Sequence, residues 1–353
     1  HTPLPGPKAQ QIVDRDTKFI SPSYTRSYPL VMKRGRGAMS EDVDGNLFLD
    51  FNAGVAVCAT GHSHPKVVDA IKKQVDEFIH ISGTDYYYPH LPALAEKLSK
   101  IAPGDYDKRV HFGNSGAEAV EGAIKLAMYS TRRQKLIGFF GAFHGRTSLA
   151  VAASDNTAII APVNETGNVC FLPFNDIEAL DNAIDSSVAA VIIEGIQGVA
   201  GVNIPSIEFL QAADRLCKKH KAVLIIDEVQ SGYGRSGNFF AHQRANVKPD
   251  IITVAKGMGN GFPIAGVLIS PLIKAKKEML GTTFGGNYLA CAAAISVLNI
   301  IKEEGLLQNA LTMGEYLKTK LGEINAIKEI RSLGLMTGIE LHEPCVDIRK
   351  ELL

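Results

Sequence analysis

The segment IITVAKGMGNGFPIAGV, residues 251–267, joins two apolar runs through a lysine and a cluster of glycines. A lysine seldom ends a buried strand, because its charge is costly without water or a partner. Gly257, Gly259 and Gly261 follow within five residues, so the backbone there turns sharply or passes close to another group. We therefore expect the amine of Lys256 to reach a specific ligand at the end of a strand.

Short apolar runs and helical stretches alternate on both sides of this segment, from about residue 109 onward. The predicted buried strands are RVHF (109–112), KLIGFF (135–140), VAAVIIE (188–194), AVLIID (222–227), IITVA (251–255) and AGVLIS (265–270). The predicted helices between them include AEAVEGAIKLAMYS (117–130) and IEFLQAADRLCKKHK (207–221). Nearly continuous apolar strands favour a parallel sheet that is covered on both faces. The sequence therefore predicts an α/β fold with ligands bound beyond the carboxyl ends of the strands.

The two ends of the chain have a different pattern. The first sixty residues are rich in proline and contain a predicted hairpin, with the turn DVDGN (42–46) between AMSE and LFLDF. After residue 288 the pattern is helical through about 323, and GLMTGIEL (334–341) is strand-like. The predicted domains are a large α/β domain (61–300) and a smaller α+β domain made from both ends (1–60 and 301–353), with its C-terminal part incomplete.

The overall composition is that of a globular protein, with 353 residues of which 46% are hydrophobic and 21% charged. Lys plus Arg and Asp plus Glu both number 37, so no charge excess points to nucleic acid or an anionic membrane surface. No apolar run reaches the roughly 18–20 residues that span a bilayer. The five cysteines are scattered without a CxxC pair, which is typical of a reducing compartment. We expect a cytoplasmic enzyme or binding protein.

Four motifs with polar or small residues lie near the predicted carboxyl ends of the strands. Asp227 ends one apolar strand and Lys256 closes the next, so a carboxylate and an amine can flank one ligand. In FGNSGAEAVEGAIK (112–125), Asn-Ser-Gly-Ala leads directly into a helix. The free N–H groups and the positive dipole end of a helix start suit a phosphate. GAFHGRT (141–147) places an aromatic ring and a histidine after another strand.

Pyridoxal 5′-phosphate is a cofactor that requires all four motifs. Its aldehyde needs a lysine, its ring nitrogen a carboxylate, its phosphate a helix N-terminus and its flat ring an aromatic neighbour. Burial is expected to lower the pKa of the lysine and keep its amine nucleophilic. The predicted contacts are Lys256 for the aldehyde, Asp227 for the ring nitrogen, Ser115, Gly116 and Ala117 for the phosphate, and Phe143 or His144 for the ring.

Each motif alone has a more ordinary interpretation, as a strand-end lysine, a turn aspartate or a helix start. A dinucleotide loop is disfavoured, because Phe262 stands where G-x-G-x-x-G requires its last glycine. A dinucleotide loop also requires an acidic residue at a strand end about 20 residues later. The residues in that region, around Lys274, instead form a predicted polar helix. His62 and His64 lack a third ligand at zinc spacing, so we expect no metal site. Only the joint spacing favours the cofactor.

The motifs DEVQSGYGRSG (227–237), AKGMGNGFPIAG (255–266) and GTTFGGNYLACAAA (281–294) resemble the signatures of the class III aminotransferases, in the family's order. The resemblance covers about residues 28–341. It implies the fold type I architecture, pyridoxal phosphate held covalently by a lysine, and a homodimer with a shared active site. The implied cofactor-binding residues are Ser115, Gly116, Ala117, Phe143, His144, Glu194, Asp227, Val229, Gln230, Lys256 and, from the neighbouring subunit, Thr283.

The same resemblance implies substrate-binding roles for Val55, Arg146 and Thr282, with Arg146 at the distal end of the substrate. Val55 stands where ornithine δ-aminotransferases have a tyrosine, which disfavours free ornithine. The N-terminal part, with PLPGPKAQQIVDRD and AVCATGHSHP, resembles 4-aminobutyrate aminotransferases. Residues 144–180 resemble the acetylornithine and succinylornithine enzymes. The implied reaction is a ping-pong transfer from N-acetylornithine, or a related acylated ornithine, to 2-oxoglutarate, with 4-aminobutyrate or another ω-amino acid as the alternative donor.

Two departures from the family pattern concern the substrate side of the site. Val199, in GIQGVAGV, stands where most relatives have a glutamate that pairs with a carboxylate-binding arginine. The family's C-terminal segment normally supplies that arginine, and this sequence ends at Leu353. A further alternative is therefore a protein that binds pyridoxal phosphate but has impaired catalysis.

Overall fold

The computed structural model of the chain describes residues 2–104 and 106–353. Its strands, in chain order, are β1 (Met32–Arg36), β2 (Met39–Asp42), β3 (Leu47–Leu49), β4 (Arg109–Gly113), β5 (Lys135–Phe139), β6 (Val169–Leu172), β7 (Val188–Glu194), β8 (Val223–Asp227), β9 (Ile251–Val254), β10 (Ala265–Ile269), β11 (Ile327–Leu333) and β12 (Met336–Leu341). Its helices are α1 (Pro7–Phe19), α2 (Ala53–Ala56), α3 (Pro65–Glu77), α4 (His90–Ile101), α5 (Gly116–Thr131), α6 (Ser148–Ala152), α7 (Ile177–Ala183), α8 (Ile207–His220), α9 (Tyr288–Glu303), α10 (Leu306–Leu321) and α11 (Val346–Glu351).

The central element is a seven-stranded sheet with the order β4-β10-β9-β8-β7-β5-β6. The pairs β5/β6, β5/β7, β7/β8 and β8/β9 are parallel. All residues of β7, β8, β9 and β10 are buried, which explains why these strands are apolar on both faces. The predicted α/β fold with a mostly parallel sheet is confirmed.

One strand runs in the opposite direction to the prediction, because β10 pairs antiparallel with both β9 and β4. The link between β9 and β10 contains only a single helical turn, at Lys256–Met258. Parallel neighbours need a crossover of about a dozen residues or more, which this link does not provide. The predicted polar helix around Lys274 is also wrong: residues 271–280 form turns, and most of their side chains are exposed. A short charged segment with little apolar surface to bury gains little from helix formation.

Two of the helices that pack on the central sheet begin at serine caps. The hydroxyl of Ser115, the residue before α5, accepts a hydrogen bond from the Glu118 amide at 3.2 Å. In the same way the Ser206 hydroxyl accepts the Phe209 amide at 3.0 Å and starts α8. These caps satisfy amide groups that a helix start leaves unpaired. The buried side of α5 consists mainly of small residues, so the helix lies close to the sheet.

The remaining strands form two small antiparallel sheets, β1-β2-β3 and β11-β12. The predicted hairpin around DVDGN is confirmed, since β2 and β3 pair antiparallel on either side of it. The small sheets lie within residues 1–60 and 301–353, although the division into domains stays a prediction. In the described ranges, no helix has the length and apolar character needed to cross a membrane. Those ranges also contain no cluster of three or more side chains suited to a metal ion.

Candidate active site

A cavity of about 330 Å³ lies where the ends of β7, β8 and β9 meet the start of α5. Ligands of open α/β sheets bind in this position. Most of the residues predicted to contact a cofactor line this single cavity: Ser115, Gly116, Ala117, Phe143, His144, Glu194, Asp227, Val229, Gln230 and Lys256. The fold therefore brings together side chains from five separate parts of the sequence.

Asp227 is the last residue of β8, and only 4% of its surface is exposed. One carboxylate oxygen accepts hydrogen bonds from the Val229 amide at 3.0 Å and the Thr253 hydroxyl at 3.0 Å. The other oxygen lies 2.8 Å from His144 Nδ1. A carboxylate has about four acceptor positions, so Asp227 is held in a fixed orientation and still has acceptor capacity for a ligand.

His144 and Glu194 are two further buried groups around Asp227. Burial opposes the protonation of His144, but the hydrogen bond with Asp227 and the charges of Asp227 and Glu194 raise its pKa above the ordinary value. Glu194 Oε1 accepts the Phe143 amide at 2.9 Å. Burial raises the pKa of Glu194 to about 7, and the Asp227 carboxylate adds to this rise while His144 opposes it. The cavity therefore contains groups that hold protons near neutral pH.

Lys256 follows β9 after one intervening residue and has a left-handed backbone, with φ of 44°. That conformation costs roughly 1–2 kcal/mol for a residue with a Cβ, so the surrounding structure must hold it. Burial lowers the pKa of Lys256, although the charges of Asp227 and Glu194 oppose the shift. A Cβ at Gly257 would lie 2.8 Å from Tyr233 Cβ, so only glycine fits there. The close backbone approach at Gly257 is therefore a contact with Tyr233.

The start of α5 presents amide groups to the cavity. The Glu118 carboxylate accepts the Asn114 amide at 2.5 Å, which fixes the residues just before the helix. The first amides of a helix, here those of Gly116 and Ala117, have no carbonyl partner within it and attract anions. A Cβ at Gly116 would lie 2.7 Å from Val229 Cγ1. Glycine is therefore required for the helix start to lie this close to the loop after β8.

The loop after β8 is anchored by Glu228, a fully buried acid that sequence reasoning did not single out. Its Oε1 accepts the His242 amide at 2.9 Å and lies 2.7 Å from His242 Nδ1, while Oε2 accepts the Ser231 hydroxyl at 2.6 Å. A buried carboxylate with three hydrogen bonds holds the backbone around it firmly. The signal in the sequence was its adjacency to Asp227.

Four predicted binding residues are absent from the lining of the cavity as far as the chain is described: Val55, Arg146, Thr282 and Thr283. Arg146 nevertheless lies near it, with its guanidinium 5.7 Å from the centroid of the Phe143 ring. The Thr282 hydroxyl accepts a hydrogen bond at 3.0 Å from the side chain of Asn114, which does line the cavity. The binding roles of the four residues stay predictions.

The cavity also contains residues that were not predicted as contacts: Val57, Asn114, Gly145, Val199, Ala255, Gly261, Phe262, Pro263 and Ile264. Most of them directly flank predicted motifs, and that proximity was the available signal. Several are apolar, and these form the apolar wall of the cavity. Such a division of apolar walls and a few placed polar groups is typical of small-molecule sites.

The residues present fit pyridoxal phosphate at each end of that cofactor. Asp227 keeps acceptor capacity for a protonated ring nitrogen, and Lys256 is a partly buried amine in the same cavity. The start of α5 offers amides for the phosphate, and its close approach to Val229 depends on Gly116. Phe143 and Val229 supply apolar surface for the ring.

The raised pKa of Glu194 predicts a pH dependence of stability. An unfolded glutamate titrates near pH ~4.3, whereas folded Glu194 titrates at about 7. The stability that protonated Glu194 contributes is fully present below the lower value and is lost as the pH rises through the higher one. Glu194→Gln should therefore gain in melting temperature relative to wild type as the pH rises between these values. Parallel curves would contradict this, and the exposed Glu165→Gln should give parallel curves.

Comparison with known proteins agrees with this geometry. The family described as Aminotransferase class-III matches residues 20–352. The acetylornithine aminotransferase of Methanothermobacter thermautotrophicus is 41% identical and is matched over 98% of this chain and 90% of its own. The crystal structure of the ornithine aminotransferase from Toxoplasma gondii has a TM-score of 0.88 at 31% identity, covering 94% of this chain and 82% of that one.

A structure of taurine:2-oxoglutarate aminotransferase from Bifidobacterium kashiwanohense, in complex with pyridoxal phosphate and glutamate, is also similar. Its TM-score is 0.87 at 26% identity, with 97% of this chain and 87% of that chain covered. The family match extends over nearly the whole sequence, and the cavity holds the amine, the carboxylate and the helix start that the cofactor requires. This chain belongs to the class III aminotransferases and is a pyridoxal-phosphate-dependent enzyme.

Proposed function

We propose that this enzyme transfers an amino group from N-acetylornithine, or a related acylated ornithine, to 2-oxoglutarate in two half-reactions. The observation that carries the proposal is that Lys256, Asp227 and the first residues of α5 line one cavity. The donor follows the name of the archaeal relative, which is similar along nearly all of this chain. The ping-pong order follows from a cofactor that stores the amino group between the two half-reactions.

Lys256 binds the cofactor and then moves a proton. Burial lowers the pKa of its amine, so a larger fraction of the amine is neutral and able to act as a base. When bound, pyridoxal phosphate supplies an electron sink for the charge left on the donor carbon. With the donor bound, Lys256 Nζ would take a proton from the donor carbon and later give it back as an acid. A group that acts first as base and then as acid needs a pKa below that of an ordinary lysine.

Asp227 would hold a proton on the ring nitrogen of the bound cofactor, and His144 would support the Asp227 carboxylate. The carboxylate is oriented by hydrogen bonds from the Val229 amide and the Thr253 hydroxyl, so it would need no reorganisation when the cofactor binds. The imidazole of His144, 2.8 Å away on the other oxygen, balances part of the carboxylate charge. Glu194 fixes the neighbouring loop by accepting the Phe143 amide.

The remaining cofactor contacts are proposed from the residues in and around the same cavity. The amides of Gly116 and Ala117, with the hydroxyl of Ser115, receive the phosphate at the start of α5. Phe143 and Val229 cover the ring. Gln230 would contact the ring hydroxyl, Glu194 would support the site indirectly, and Thr283 of a second subunit would complete the phosphate site.

Arg146 is proposed to read the distal end of the donor. Its side chain is exposed and lies above the Phe143 ring at the edge of the cavity, so its guanidinium is free to meet a carboxylate or carbonyl oxygen. Val55 and Thr282 are proposed as further neighbours of the substrate. An acylated donor presents its acyl oxygen at a distance from the amino group that reacts, which suits this arrangement.

The donor assignment can be tested by comparing glutamate formation from N-acetylornithine and 4-aminobutyrate. We expect a higher kcat/KM with N-acetylornithine. Arg146→Ala should lower that value by about 10- to 100-fold, since a hydrogen bond to a charged group is worth ~1.5–3 kcal/mol. The loss with a simple ω-amine that lacks an acyl group should be much smaller. Equal losses with both donors would contradict the role, and Arg215→Ala, exposed on α8, should leave both values unchanged.

A homodimer is part of the same proposal. Exposed aromatic side chains lie together near the start of α9, where Phe78 contacts Tyr288 with ring centroids 5.2 Å apart and Phe284 contacts His80 at 5.0 Å. Exposed apolar patches of this kind mark protein interfaces. Thr282 and Thr283 are adjacent to Phe284, so the same surface would carry them to a second subunit's phosphate site. Sedimentation that gives only the mass of one chain would contradict the dimer.

The alternative donor is 4-aminobutyrate or another ω-amino acid. Val57, Val199 and Phe262 line the cavity, and no arginine is among its described lining residues. This lining does not separate the two donors, because both carry a carboxylate. The comparison of the two donors decides between these proposals. If the protein binds pyridoxal phosphate but turns over neither donor, that result would support the alternative of impaired catalysis. The cytoplasmic location stays part of the proposal, supported by five cysteines without a disulfide.

A further inference from the structure

A left-handed turn at residues 53–56 lies beside the active-site cavity. Ala53, Gly54, Val55 and Ala56 have φ values of 52°, 66°, 63° and 61°. This backbone is unfavourable for residues with a Cβ, and most of all for a β-branched valine. The next residue, Val57, lines the cavity. A strained turn therefore sets the position of one wall of the active site.

The carboxylate of Asp50 holds this turn in place. Its Oδ1 accepts the amides of Asn52 at 2.7 Å and Ala53 at 2.9 Å, and the Asn52 side chain accepts the Val55 amide. Its Oδ2 lies 2.5 Å from His62 Nε2. Although burial opposes ionisation, these hydrogen bonds lower the pKa of Asp50 below its ordinary value. One charged group thus connects the turn to a histidine.

The other nitrogen of that histidine faces a thiol. His62 Nδ1 lies 3.4 Å from Cys58 Sγ. Because Nε2 points at the carboxylate of Asp50, Nδ1 is the acceptor of the neutral ring and faces the S–H group. The order thiol, imidazole, carboxylate is that of nucleophiles activated by a general base. Burial and the charge of Asp50 raise the pKa of Cys58, so its proton stays on sulfur until His62 removes it.

Arg235 adds hydrogen-bond donors beside this cluster. Its positive charge acts on both Cys58 and Asp50. Its Nε and Nη2 atoms are buried and have no hydrogen-bond partner among the described residues. Buried donors without a partner are rare and can stabilise negative charge on an incoming oxygen. The cluster therefore combines a thiol, a base and an orienting carboxylate, and the charge of Arg235 acts on the thiol and the carboxylate.

We propose that Cys58 is a redox-modification site, oxidised by hydroperoxides with His62 as the base, and that its oxidation releases the turn at residues 53–56. The proposal is independent of the donor and acceptor of the transamination. The thiol cluster is connected to the active site through Val57 and Cys58, the two residues that follow the turn. Oxidation thereby controls the substrate side of the cavity without changing the cofactor side.

The reaction balances with a hydroperoxide as the oxidant. The sulfur of Cys58 attacks the outer peroxide oxygen, so an S–O bond forms as the O–O bond breaks. Sulfur loses two electrons and the peroxide gains them. His62 Nδ1 takes the thiol proton and passes it to the leaving oxygen, giving a sulfenic acid and water or an alcohol. The new oxygen enters the 3.4 Å gap between Sγ and Nδ1, displaces His62 and weakens its contact with Asp50.

The test compares two thiols of the same holoenzyme. Hydrogen peroxide is added, sulfenic acid is trapped with dimedone, and labelled peptides are counted by mass spectrometry. Cys58 should be labelled faster than Cys345, although Cys345 is exposed and Cys58 is half-buried. His62→Gln should slow the labelling of Cys58 by about 100-fold, the lower end of what a positioned general base contributes. The labelling of Cys345 should stay the same, which shows that the variant is folded and the reagent unchanged.

A second measurement follows the consequence for the active site. In wild type, peroxide should raise the KM for the amino donor, and dithiothreitol should restore it. In Cys58→Ser, which keeps a hydroxyl beside His62, peroxide should leave the KM unchanged. Labelling of Cys58 no faster than that of Cys345, or unaffected by His62→Gln, would overturn the proposal. So would an unchanged KM in fully labelled enzyme. The labelling rates do not depend on turnover. They can therefore be measured even if the proposed transamination fails, so the two failures are distinguishable.

Discussion

Lys256→Ala is expected to abolish transamination, with a loss of kcat of at least about 10⁴-fold, the upper end of what a positioned proton-transfer group contributes. The reason is that Lys256 is proposed both to hold the cofactor covalently and to move the proton between donor and cofactor. No other lysine lines the described cavity, so no second amine can take over. The variant should still fold, because alanine meets the same left-handed backbone, with φ of 44°, that lysine meets.

The measurement for this variant is single-turnover kinetics at saturating donor, with melting temperature as the control for folding. Lys274→Ala offers a matched control, since Lys274 is exposed and lies in the turns after β10. It should have wild-type turnover and cofactor content. Appreciable turnover in a folded Lys256→Ala protein would contradict the assignment of the proton-transfer group.

Asp227→Asn is expected to lower kcat by about 10³-fold, comparable with removing one preorganised electrostatic partner from an active site. Asparagine has nearly the same shape and can still accept hydrogen bonds from the Val229 amide and the Thr253 hydroxyl. It has no charge, however, and so cannot hold a proton on the ring nitrogen. The electron sink is weakened while the fold and the covalent link to Lys256 are kept.

The split between binding and catalysis distinguishes this role from a structural one. Asp227→Asn should retain cofactor on Lys256, while its kcat falls for every donor alike. In the variant the ring nitrogen should stay unprotonated, so the absorption maximum of the bound pyridoxal phosphate should also shift. A variant with wild-type kcat would contradict the role, and one that neither folds nor binds cofactor would show that Asp227 is needed mainly for structure.

The sequence contained enough information for most of the central sheet, because its strands are continuously apolar and its helices begin at clear caps such as Ser115 and Ser206. The direction of β10 was not predictable from its composition. Apolar character is the same for parallel and antiparallel strands, and only the short link after Lys256 shows the reversal. The edge strand β6 was missed because it has four residues, three of them half-buried, and therefore little pattern.

The charged part of the site was predictable for a different reason. Lys256 and Asp227 are residue types that a buried strand end tolerates only with a partner, so their positions carry information. The apolar wall was not predictable, since residues such as Val57 and Phe262 resemble core residues until the fold brings them to one cavity. The same holds for the Asp50, His62 and Cys58 cluster, where contacts between side chains decide the chemistry.

Lys256 is the residue proposed to hold pyridoxal phosphate covalently in this enzyme. The most direct measurement is to reduce the purified protein with borohydride, digest it and determine the masses of its lysine-containing peptides. We expect the mass of reduced pyridoxal phosphate on the peptide that contains Lys256 and on no other peptide. A protein without this added mass, or with the mass on a different lysine, would show that Lys256 is not the attachment site.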